Sequence, residues 1–194
     1  MASLAAEQPM EASSDDADDA SLVESAAKGD SDAFTRLFDR YYPMIHAFAY
    51  RLSLCSSDAE DIAQETFINA ARSLGSFRGE SSFKNWLYRI AANATEDLRR
   101  RKARQSRLAG ELESSAREPG RPQDHAGLVE ALAALADDLR QAIVLVYYEG
   151  LNHAEAARII GCAEATVSWR VFQAKRRLRK SLRPGRHTPP GGNR

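Results

Sequence analysis

The chain has 194 residues, enough for one ordinary domain or two small ones, and its hydrophobic fraction of 43% is normal for a globular protein. Its formal net charge is zero, but residues 1–24 hold seven acids and no base, whereas residues 165–194 hold nine bases and no acid. No apolar run reaches the roughly 18 residues of a membrane span, and the acidic N-terminus is unlike a secretory signal. We therefore expect a cytoplasmic protein without membrane insertion, and the basic C-terminus favours a polyanionic partner.

The first predicted elements are a tail and two helices. Residues 1–20 are small and acidic, with few large apolar side chains, so a disordered tail is predicted. Ser21 and Glu24 have the spacing of a capping box, which predicts that helix begins at Ser21, and Gly29 is expected to end it. The second helix contains Pro43, a predicted kink or break. Its apolar stripe comprises Phe34, Leu37, Phe38, Tyr41, Ile45, Phe48 and Leu52.

An amphipathic helix with an acidic exterior is predicted from Asp58 to Leu74. The side chains on its apolar face are Ile62, Ala63, Thr66, Phe67, Ala70 and Leu74. The side chains largely on the opposite face are Glu60, Asp61, Gln64, Glu65 and Asn69. The pattern predicts one side packed in a core and one side facing solvent.

The stretch SFKNWLYRIAANATEDLRRRKAR, residues 82–104, sets apolar and aromatic side chains at helical spacing and ends in a cationic run. It follows GSFRGESS, whose glycines and serines interrupt the helical period. Taken alone, the helix is better explained by core packing and a solubilising charged end. The second basic cluster, Arg99 to Arg107, shifts the balance toward nucleic acid, because aromatic rings beside cations suit unstacked bases as well as phosphate.

Residues 105–127 lack a sustained apolar period and are rich in Gly, Pro, Ser and charge, which predicts a flexible linker. Four helices are predicted on each side of it, over residues 21–104 and 128–183, and residues 184–194 are predicted to be a second disordered tail. No alternating strand pattern occurs in the sequence. We therefore predict an all-α protein of two small helical domains.

Residues 153–171 have the spacing of a helix-turn-helix, with small Ala157 where two helices cross and Gly161 in the turn. Asn152 and Glu155 offer a capping box before the first helix. The second helix of such a motif enters the major groove, so its outward side chains are candidate DNA contacts. A small bundle with a solvated basic face is the alternative, but nine bases without an acid favour DNA binding. The outward side chains are Ser168, Trp169, Arg170, Gln173, Arg176 and Arg177.

The sequence does not favour an enzyme, a metal site or a cofactor. It contains no P-loop, G-x-S-x-G or HExxH motif. Cys55 and Cys162 lie far apart without ligand spacing, so both are expected to be reduced. The histidines stand singly, at His46, His125, His153 and His187.

Two stretches carry a family resemblance. DAEDIAQETFINAARSLGSFRGESSFKNWLYRIAAN and, downstream, EGLNHAEAARIIGCAEATVSWRVFQAKRRLRKSL resemble the conserved regions of the extracytoplasmic-function (ECF) sigma factors of bacterial RNA polymerase, and the match spans about residues 21–183. The resemblance implies a helical sigma region 2 and a helix-turn-helix sigma region 4. It also implies binding to bacterial core RNA polymerase and promoter DNA, with roles in promoter recognition, DNA opening and transcription initiation. Such proteins are commonly held by an anti-sigma factor, which is a further implied partner.

The same resemblance implies three groups of site residues. The acidic helix is similar to the surface that docks on the clamp helices of the largest polymerase subunit, through Asp58, Glu60, Asp61, Gln64, Glu65 and Asn69. The loop and helix after it resemble the parts that capture and hold the promoter −10 element, through Phe77, Arg78, Phe83, Lys84, Trp86, Arg89, Asn93, Arg99 and Arg100. The reader of the −35 element is matched by Thr166, Ser168, Trp169, Arg170, Gln173, Arg176 and Arg177.

Four positions depart from the family pattern. Ala136 stands where a Pro is usual and Ala163 where a Ser or Pro is usual, so both helix starts are expected to be less sharply fixed. Ser168 and Trp169 replace a usual Lys-Ser pair, so the −35 preference of better-known relatives is not assumed.

Two alternatives stay open at the level of sequence. The chain could be an ordinary helix-turn-helix regulator, which would bind duplex DNA alone and need another initiation factor. Separately, the acidic leader could fold back on a basic DNA-binding face, although a solvated tail is favoured. The carboxylates concerned are Asp15, Asp16, Asp18 and Asp19.

Overall fold

The computed structural model describes residues 14–109 and 126–181, and every regular element in these ranges is helical. The N-terminal unit contains α1 (Ser14–Ala27), α2 (Ser31–Ser53), α3 (Ser56–Ser73), a 3₁₀ turn (Leu74–Ser76) and α4 (Phe83–Ala109). The C-terminal unit contains α5 (Ala126–Ala133), α6 (Asp137–Ile143) with a π-helical continuation (Val144–Tyr148), α7 (His153–Ile160) and α8 (Glu164–Ser181). The predicted all-α class, with four helices in each unit, is confirmed for these residues. None of the described helices is long and apolar enough to cross a membrane.

Helix α1 begins earlier than the sequence indicates. It starts at Ser14, so the prediction of a disordered tail is wrong for residues 14–20, while residues 1–13 lie outside the described part of the chain. Asp19 is buried and accepts hydrogen bonds from the Arg40 guanidinium and the Tyr41 hydroxyl. Both partners lie in α2, so the residue pattern of α1 alone does not predict these hydrogen bonds. The capping box predicted at Ser21 is also wrong, because Ser21 lies inside the helix.

Helix α2 is continuous across Pro43, so the predicted break does not occur. Its start is fixed by the Asp30 side chain, which accepts from the backbone N–H groups of Asp32 at 2.9 Å and Ala33 at 3.1 Å. Pro43 lies on the exposed side of the helix. The missing donor and the ring therefore face solvent instead of the core, which makes the interruption tolerable.

The core of the N-terminal unit lies among α2, α3 and α4. Leu37, Ile45, Phe48, Leu87 and Tyr88 are fully buried there. The Phe48 and Tyr88 rings pack with centroids 4.9 Å apart. The apolar face predicted for α3 is confirmed, since all six of its members are buried. This packing turns the opposite, acidic face of α3 outward.

The C-terminal unit contains the predicted helix-turn-helix. The capping box is present: the Asn152 side chain accepts from Glu155 N at 2.9 Å, and Glu155 Oε2 accepts from Asn152 N at 2.9 Å. Gly161 ends α7 with φ 75°, a left-handed conformation that glycine adopts without strain. Ala136 precedes α6 without a side-chain cap, as the departure from the family pattern predicts.

The two units pack against each other. Apolar residues of both belong to one buried cluster, and Arg51 Nη1 on α2 donates to Glu149 Oε1 at 3.0 Å. Asn85 Nδ2 on α4 donates to Glu155 Oε1 on α7 at 3.4 Å. Of the predicted linker, residues 105–109 continue α4 and residues 126–127 begin α5. The remainder of that linker, and the tail predicted at residues 184–194, lie outside the described residues.

Candidate functional site

The exposed face of α3 forms an acidic surface. Glu60, Asp61 and Gln64 are exposed, and half-buried Asn69 donates from Nδ2 to Glu65 Oε1 at 3.2 Å. We call these five residues the α3 acidic surface. They protrude from a rigid helix whose other face is locked in the core, so their carboxylates are available to a cationic partner.

Ile68 adds an apolar group to this region that the sequence interpretation missed. Its side chain is 45% exposed, one of five large hydrophobic residues described as exposed. The available signal was an isoleucine outside the buried stripe of an amphipathic helix. Such a residue beside surface carboxylates is suited to a mixed polar and apolar interface.

Asp58 differs from the other predicted polymerase contacts. Its side chain is only 15% exposed and accepts from Lys102 Nζ on α4 at 2.6 Å. The carboxylate is therefore already paired within the N-terminal unit. Asp58 therefore connects the start of α3 to α4 and does not present a free charge to a partner.

Four aromatic rings join the loop after α3 to the start of α4. Phe77 lies 5.8 Å from Phe83 and 5.2 Å from Trp86, measured between ring centroids, and Tyr41 packs against Phe83 at 5.5 Å. Phe83 is buried in the core, so the prediction that it contacts DNA does not fit this structure; it anchors the loop instead. Phe77 and Trp86 remain half-buried at the rim of the cluster.

The polar side chains of the predicted −10 set fall into an exposed group and a group engaged within the chain. Arg78, Arg89 and Asn93 are exposed. Lys84 lies over the Tyr88 ring at 5.9 Å. Other side chains of this set bind carboxylates.

Glu96 holds two of these cations on α4. Its carboxylate accepts from Arg99 Nη1 at 3.0 Å and from Arg100 Nε at 3.1 Å. Arg99 Nε also lies 3.0 Å from Asp137 Oδ2 of the C-terminal unit. Arg99 therefore bridges the two units in this structure.

Helix α8 presents a basic face with two exposed aromatic rings. Its inner side is fixed by buried Val167, Val171 and Ala174. Trp169 is 56% exposed and Phe172 is 62% exposed. Phe172 is absent from the predicted −35 set, although its spacing of three residues from Trp169 places it on the same helical face.

Two polar members of the predicted −35 set, Ser168 and Arg170, lie beside partners within the chain. The Ser168 hydroxyl is 2.8 Å from His153 Nδ1, and Arg170 Nε is 3.4 Å from Asp138 Oδ2. Arg176 is exposed. Most of the predicted set therefore lies on one accessible side of α8, but Arg170 points toward an acidic neighbour.

Besides these surfaces, the described residues contain side chains of metal-ligating and titratable types. They contain no group of three His, Cys, Asp or Glu side chains that could hold a metal ion, and Cys55 and Cys162 are free and half-buried. Burial raises the pKa of the Tyr88 hydroxyl above its ordinary value, and the hydrogen bond to Glu149 raises it further. Burial likewise raises the pKa of Tyr148, with the Arg51 charge acting in the opposite direction.

The two helical units coincide with two known families. Residues 37–105 match the Sigma-70 region 2 family, and residues 125–178 match the Sigma-70, region 4 family. The RNA polymerase sigma-H factor of Pseudomonas aeruginosa is 35% identical over 182 residues, which cover 86% of this chain and 94% of that protein. The chain belongs to the ECF RNA polymerase sigma factors. The resemblance seen in the sequence is thereby confirmed, and the regulator alternative is not favoured.

Other relatives of this sigma factor agree. The ECF RNA polymerase sigma factor SigM of Mycobacterium tuberculosis (strain H37Rv) is 35% identical, with 84% of each chain covered. The structure of sigma factor RpoE in complex with the anti-sigma factor NepR from Bartonella quintana is similar with a TM-score of 0.68 and 33% identity, covering 77% of this chain and 96% of that one. The structure of CnrH in complex with the cytosolic domain of CnrY is similar with a TM-score of 0.64 and 28% identity, covering 85% and 97%.

Membership of the sigma factor family establishes the activity of the chain. A sigma factor binds core RNA polymerase and directs it to promoter DNA, where transcription is initiated.

Proposed function

We propose that this sigma factor uses three separate surfaces during initiation. The α3 acidic surface docks on core polymerase. The half-buried rings Phe77 and Trp86, together with the polar side chains of α4, hold the −10 element. Helix α8 reads the −35 element. The observation that carries the proposal is the separation of charge: exposed carboxylates on α3 and exposed cations on α8 lie on different units. Because opposite charges attract, the α3 carboxylates suit a basic protein surface and the α8 cations suit DNA phosphate.

Polymerase docking is supported by an energetic argument. Opening about ten base pairs costs on the order of 14 kcal/mol, at roughly 1.4 kcal/mol per stacking step. Stacking one or two extruded bases on aromatic rings returns only about 1–3 kcal/mol each. The chain therefore needs a large partner to open DNA, and Asp61 and Glu65 are the central charges through which it would be held. Ile68 extends this contact with apolar area.

The −10 surface is proposed with one revision. Trp86 and Phe77, which are half-buried, are the rings available to an extruded base, while Phe83 supports them from below. Arg78, Arg89 and Asn93 are exposed and would hold the backbone of the same segment. Three members of the predicted set must give up a contact within the chain before they bind phosphate. Lys84 lies over the Tyr88 ring, and Glu96 binds Arg99 and Arg100.

The −35 surface is proposed on α8. Trp169, Arg176 and Arg177 face outward from the helix that follows the turn, the geometry required for entry into the major groove. Gln173 is half-buried and can add base recognition, since side-chain amides pair with adenine edges.

An anti-sigma partner is part of the proposal. The similar RpoE structure was determined with its anti-sigma factor NepR, and this chain has the same two helical units. We also place the chain in the cytoplasm, because core polymerase and promoter DNA are found there.

Charge reversal on α3 tests the docking surface. Asp61→Lys, alone and with Glu65→Lys, is expected to weaken binding to core polymerase at least tenfold, because it replaces attraction with repulsion at a desolvated contact. The affinity is measured with purified core polymerase, and run-off transcription is measured in the same samples. Duplex binding by the free chain should be unchanged.

The matched control is Glu130→Lys, which makes the same charge change at an exposed position in α5 of the C-terminal unit. It should bind polymerase like the wild type. Equal polymerase affinity for Asp61→Lys and the wild type would contradict the proposed docking surface.

A further inference from the structure

The side of α8 that faces away from the core is apolar over the N-terminal half of the helix. Val167, Val171 and Ala174 are buried on the inner side. The residues opposite them recur at intervals of four, three and four positions, which places them on one face of the helix. This outer stripe consists of four exposed residues, Ala165, Trp169, Phe172 and Arg176. Only its last member carries a charge.

Two large rings make up most of the outer stripe. Trp169 is 56% exposed and Phe172 is 62% exposed, the highest values among the large hydrophobic side chains described as exposed. Neither ring belongs to the apolar core of the described residues. Core packing therefore does not explain the two rings, and their apolar area favours a surface that excludes water from them.

The polar side chains next to Trp169 are already engaged within the chain. The Ser168 hydroxyl lies 2.8 Å from His153 Nδ1, and Arg170 Nε lies 3.4 Å from Asp138 Oδ2. Ser168 and Arg170 flank Trp169 on both sides in the sequence. The rings are therefore the groups of this half of α8 that meet a base edge when the outer stripe enters the major groove.

Cations lie at the margin of the same apolar surface. Lys175, Arg176, Arg179 and Lys180 line a shallow groove with Phe172. A neutral apolar protein surface would give these charges no counterion, whereas a DNA duplex has phosphates along both edges of the major groove. An apolar centre with a cationic margin therefore fits duplex DNA better than it fits an apolar protein.

The apolar group that bases present in the major groove is the C5 methyl group of thymine. Phe172 has no hydrogen-bonding atom in its side chain, so its ring suits this methyl group and not a polar base edge. The Trp169 indole has one donor, Nε1–H, which suits the thymine O4 acceptor beside the methyl group. Residues three positions apart lie about 4.5 Å apart along a helix axis, and successive base pairs are about 3.4 Å apart. The two rings therefore match two neighbouring base pairs.

We propose that Trp169 and Phe172 recognise the C5 methyl groups of thymines on neighbouring base pairs of the −35 element. The inference rests on the proposed function of α8 and deepens it by naming the base feature that the helix selects. Because Trp169 departs from the family pattern, this preference belongs to the present chain and is not taken from its relatives.

Removal of the methyl groups from the DNA tests the proposal without changing the protein. The probe is a pool of short duplexes with a randomised central segment, from which the full-length chain selects its preferred sequences. The selected sequences are expected to contain thymines on neighbouring base pairs. In a selected duplex each of these thymines is then replaced by deoxyuridine, which lacks only the methyl group. Affinity measured by fluorescence anisotropy should fall about fourfold for each methyl group removed. Replacing a thymine outside the selected segment should have no effect.

Protein variants assign each methyl group to one ring. Trp169→Ala and Phe172→Ala should each abolish the effect of deoxyuridine at one thymine and keep it at the other, which is the expected result of a double-mutant cycle. Tyr147→Ala is the matched control, because it removes a ring that is 53% exposed in the same unit but outside α8. It should keep both effects. All three side chains are exposed, so helicity by circular dichroism should equal that of the wild type.

Three results would overturn the proposal. The first is a selected pool without neighbouring thymines, and the second is equal wild-type affinity for thymine and deoxyuridine duplexes. The third is a deoxyuridine effect of the same size in the wild type and in both ring variants, since it would then arise from DNA shape. Ring variants that weaken binding to core polymerase and leave duplex affinity unchanged would also overturn it, because the rings would then form a protein-docking surface.

Failure of the proposed function gives a different pattern. If α8 contacts DNA, Arg176→Ala weakens binding to every duplex whether or not deoxyuridine has an effect. Weaker binding by Arg176→Ala together with no deoxyuridine effect would therefore leave the −35 surface in place and overturn only the recognition of thymine. Unchanged binding by Arg176→Ala and by both ring variants would overturn both proposals.

Discussion

Tyr88 shows how one residue can serve both packing and contact between units. Its ring is fully buried against Phe48, while its hydroxyl donates to Glu149 of the other unit. Burial, followed by the hydrogen bond to an anion, raises the pKa of this hydroxyl above 10.0. The folded chain therefore resists ionisation of Tyr88 at a pH where the unfolded chain loses the proton.

This shift predicts a pH dependence of stability. The contribution of Tyr88 is fully present below about pH 10, the ordinary tyrosine value, and is lost as pH rises through the higher folded pKa, with a slope of at most about 1.4 kcal/mol per pH unit. Urea unfolding between pH 9 and pH 11 should show the stability of wild type falling more steeply than that of Tyr88→Phe. Tyr147→Phe, at a side chain that is 53% exposed, is the control and should keep the wild-type slope. Parallel slopes for wild type and Tyr88→Phe would contradict the prediction.

The proposed −35 surface on α8 combines two kinds of side chain. Lys175, Arg176, Arg179 and Lys180 line a shallow groove beside Phe172. In the proposed complex the cations would attract phosphate whatever the base sequence, whereas the exposed rings and Gln173 would contact base edges. The two roles are separable by their dependence on salt.

Arg176→Ala should therefore lower affinity for all duplexes to a similar extent and reduce the slope of log affinity against log salt by about 0.9, the effect of one lost phosphate contact. Gln173→Ala should instead leave the slope unchanged and reduce the preference for promoter over random duplex. Fluorescence anisotropy across a salt series measures both quantities. Arg36→Ala, an exposed cation on α2, is the control. An unchanged slope for Arg176→Ala would remove Arg176 from the DNA contact.

The two units share buried surface. One continuous cluster of apolar side chains includes Leu87 and Tyr88 of α4 together with Leu151 and Ala156 of the C-terminal unit. Residues that share a core lose their contacts together on unfolding. The two units are therefore expected to melt as one body despite their separate binding roles.

Calorimetry provides the corresponding prediction. Wild type should unfold in a single transition whose calorimetric and van't Hoff enthalpies agree, the criterion of two-state behaviour. Glu149→Lys should separate it into two overlapping transitions, with a calorimetric enthalpy larger than the van't Hoff value. Two resolved transitions in the wild type would show that the units are thermally independent.

The helices and the exposed acidic face of α3 could be predicted because they depend on spacing within one segment. Buried Ile62 and Phe67 recur at helical period, and Asn152 and Glu155 cap α7 across three residues. Phe83 illustrates the limit of such patterns. A ring beside cations suits both a core and a base-binding surface, and only the packing of Tyr41 and Phe77 around it placed it inside.

The helical class, the helix-turn-helix, the charge separation and the family could all be predicted from the sequence, because each depends on local periodicity or on motifs in chain order. Which charges are already engaged became clear only from the packing of the helices. Asp58 meets Lys102 across 44 residues, and Glu149 meets Tyr88 across 61 and Arg51 across 98. Contacts between residues this far apart in the sequence form only when the helices pack, so local spacing does not predict them. The contact between the units is therefore a property of the folded chain.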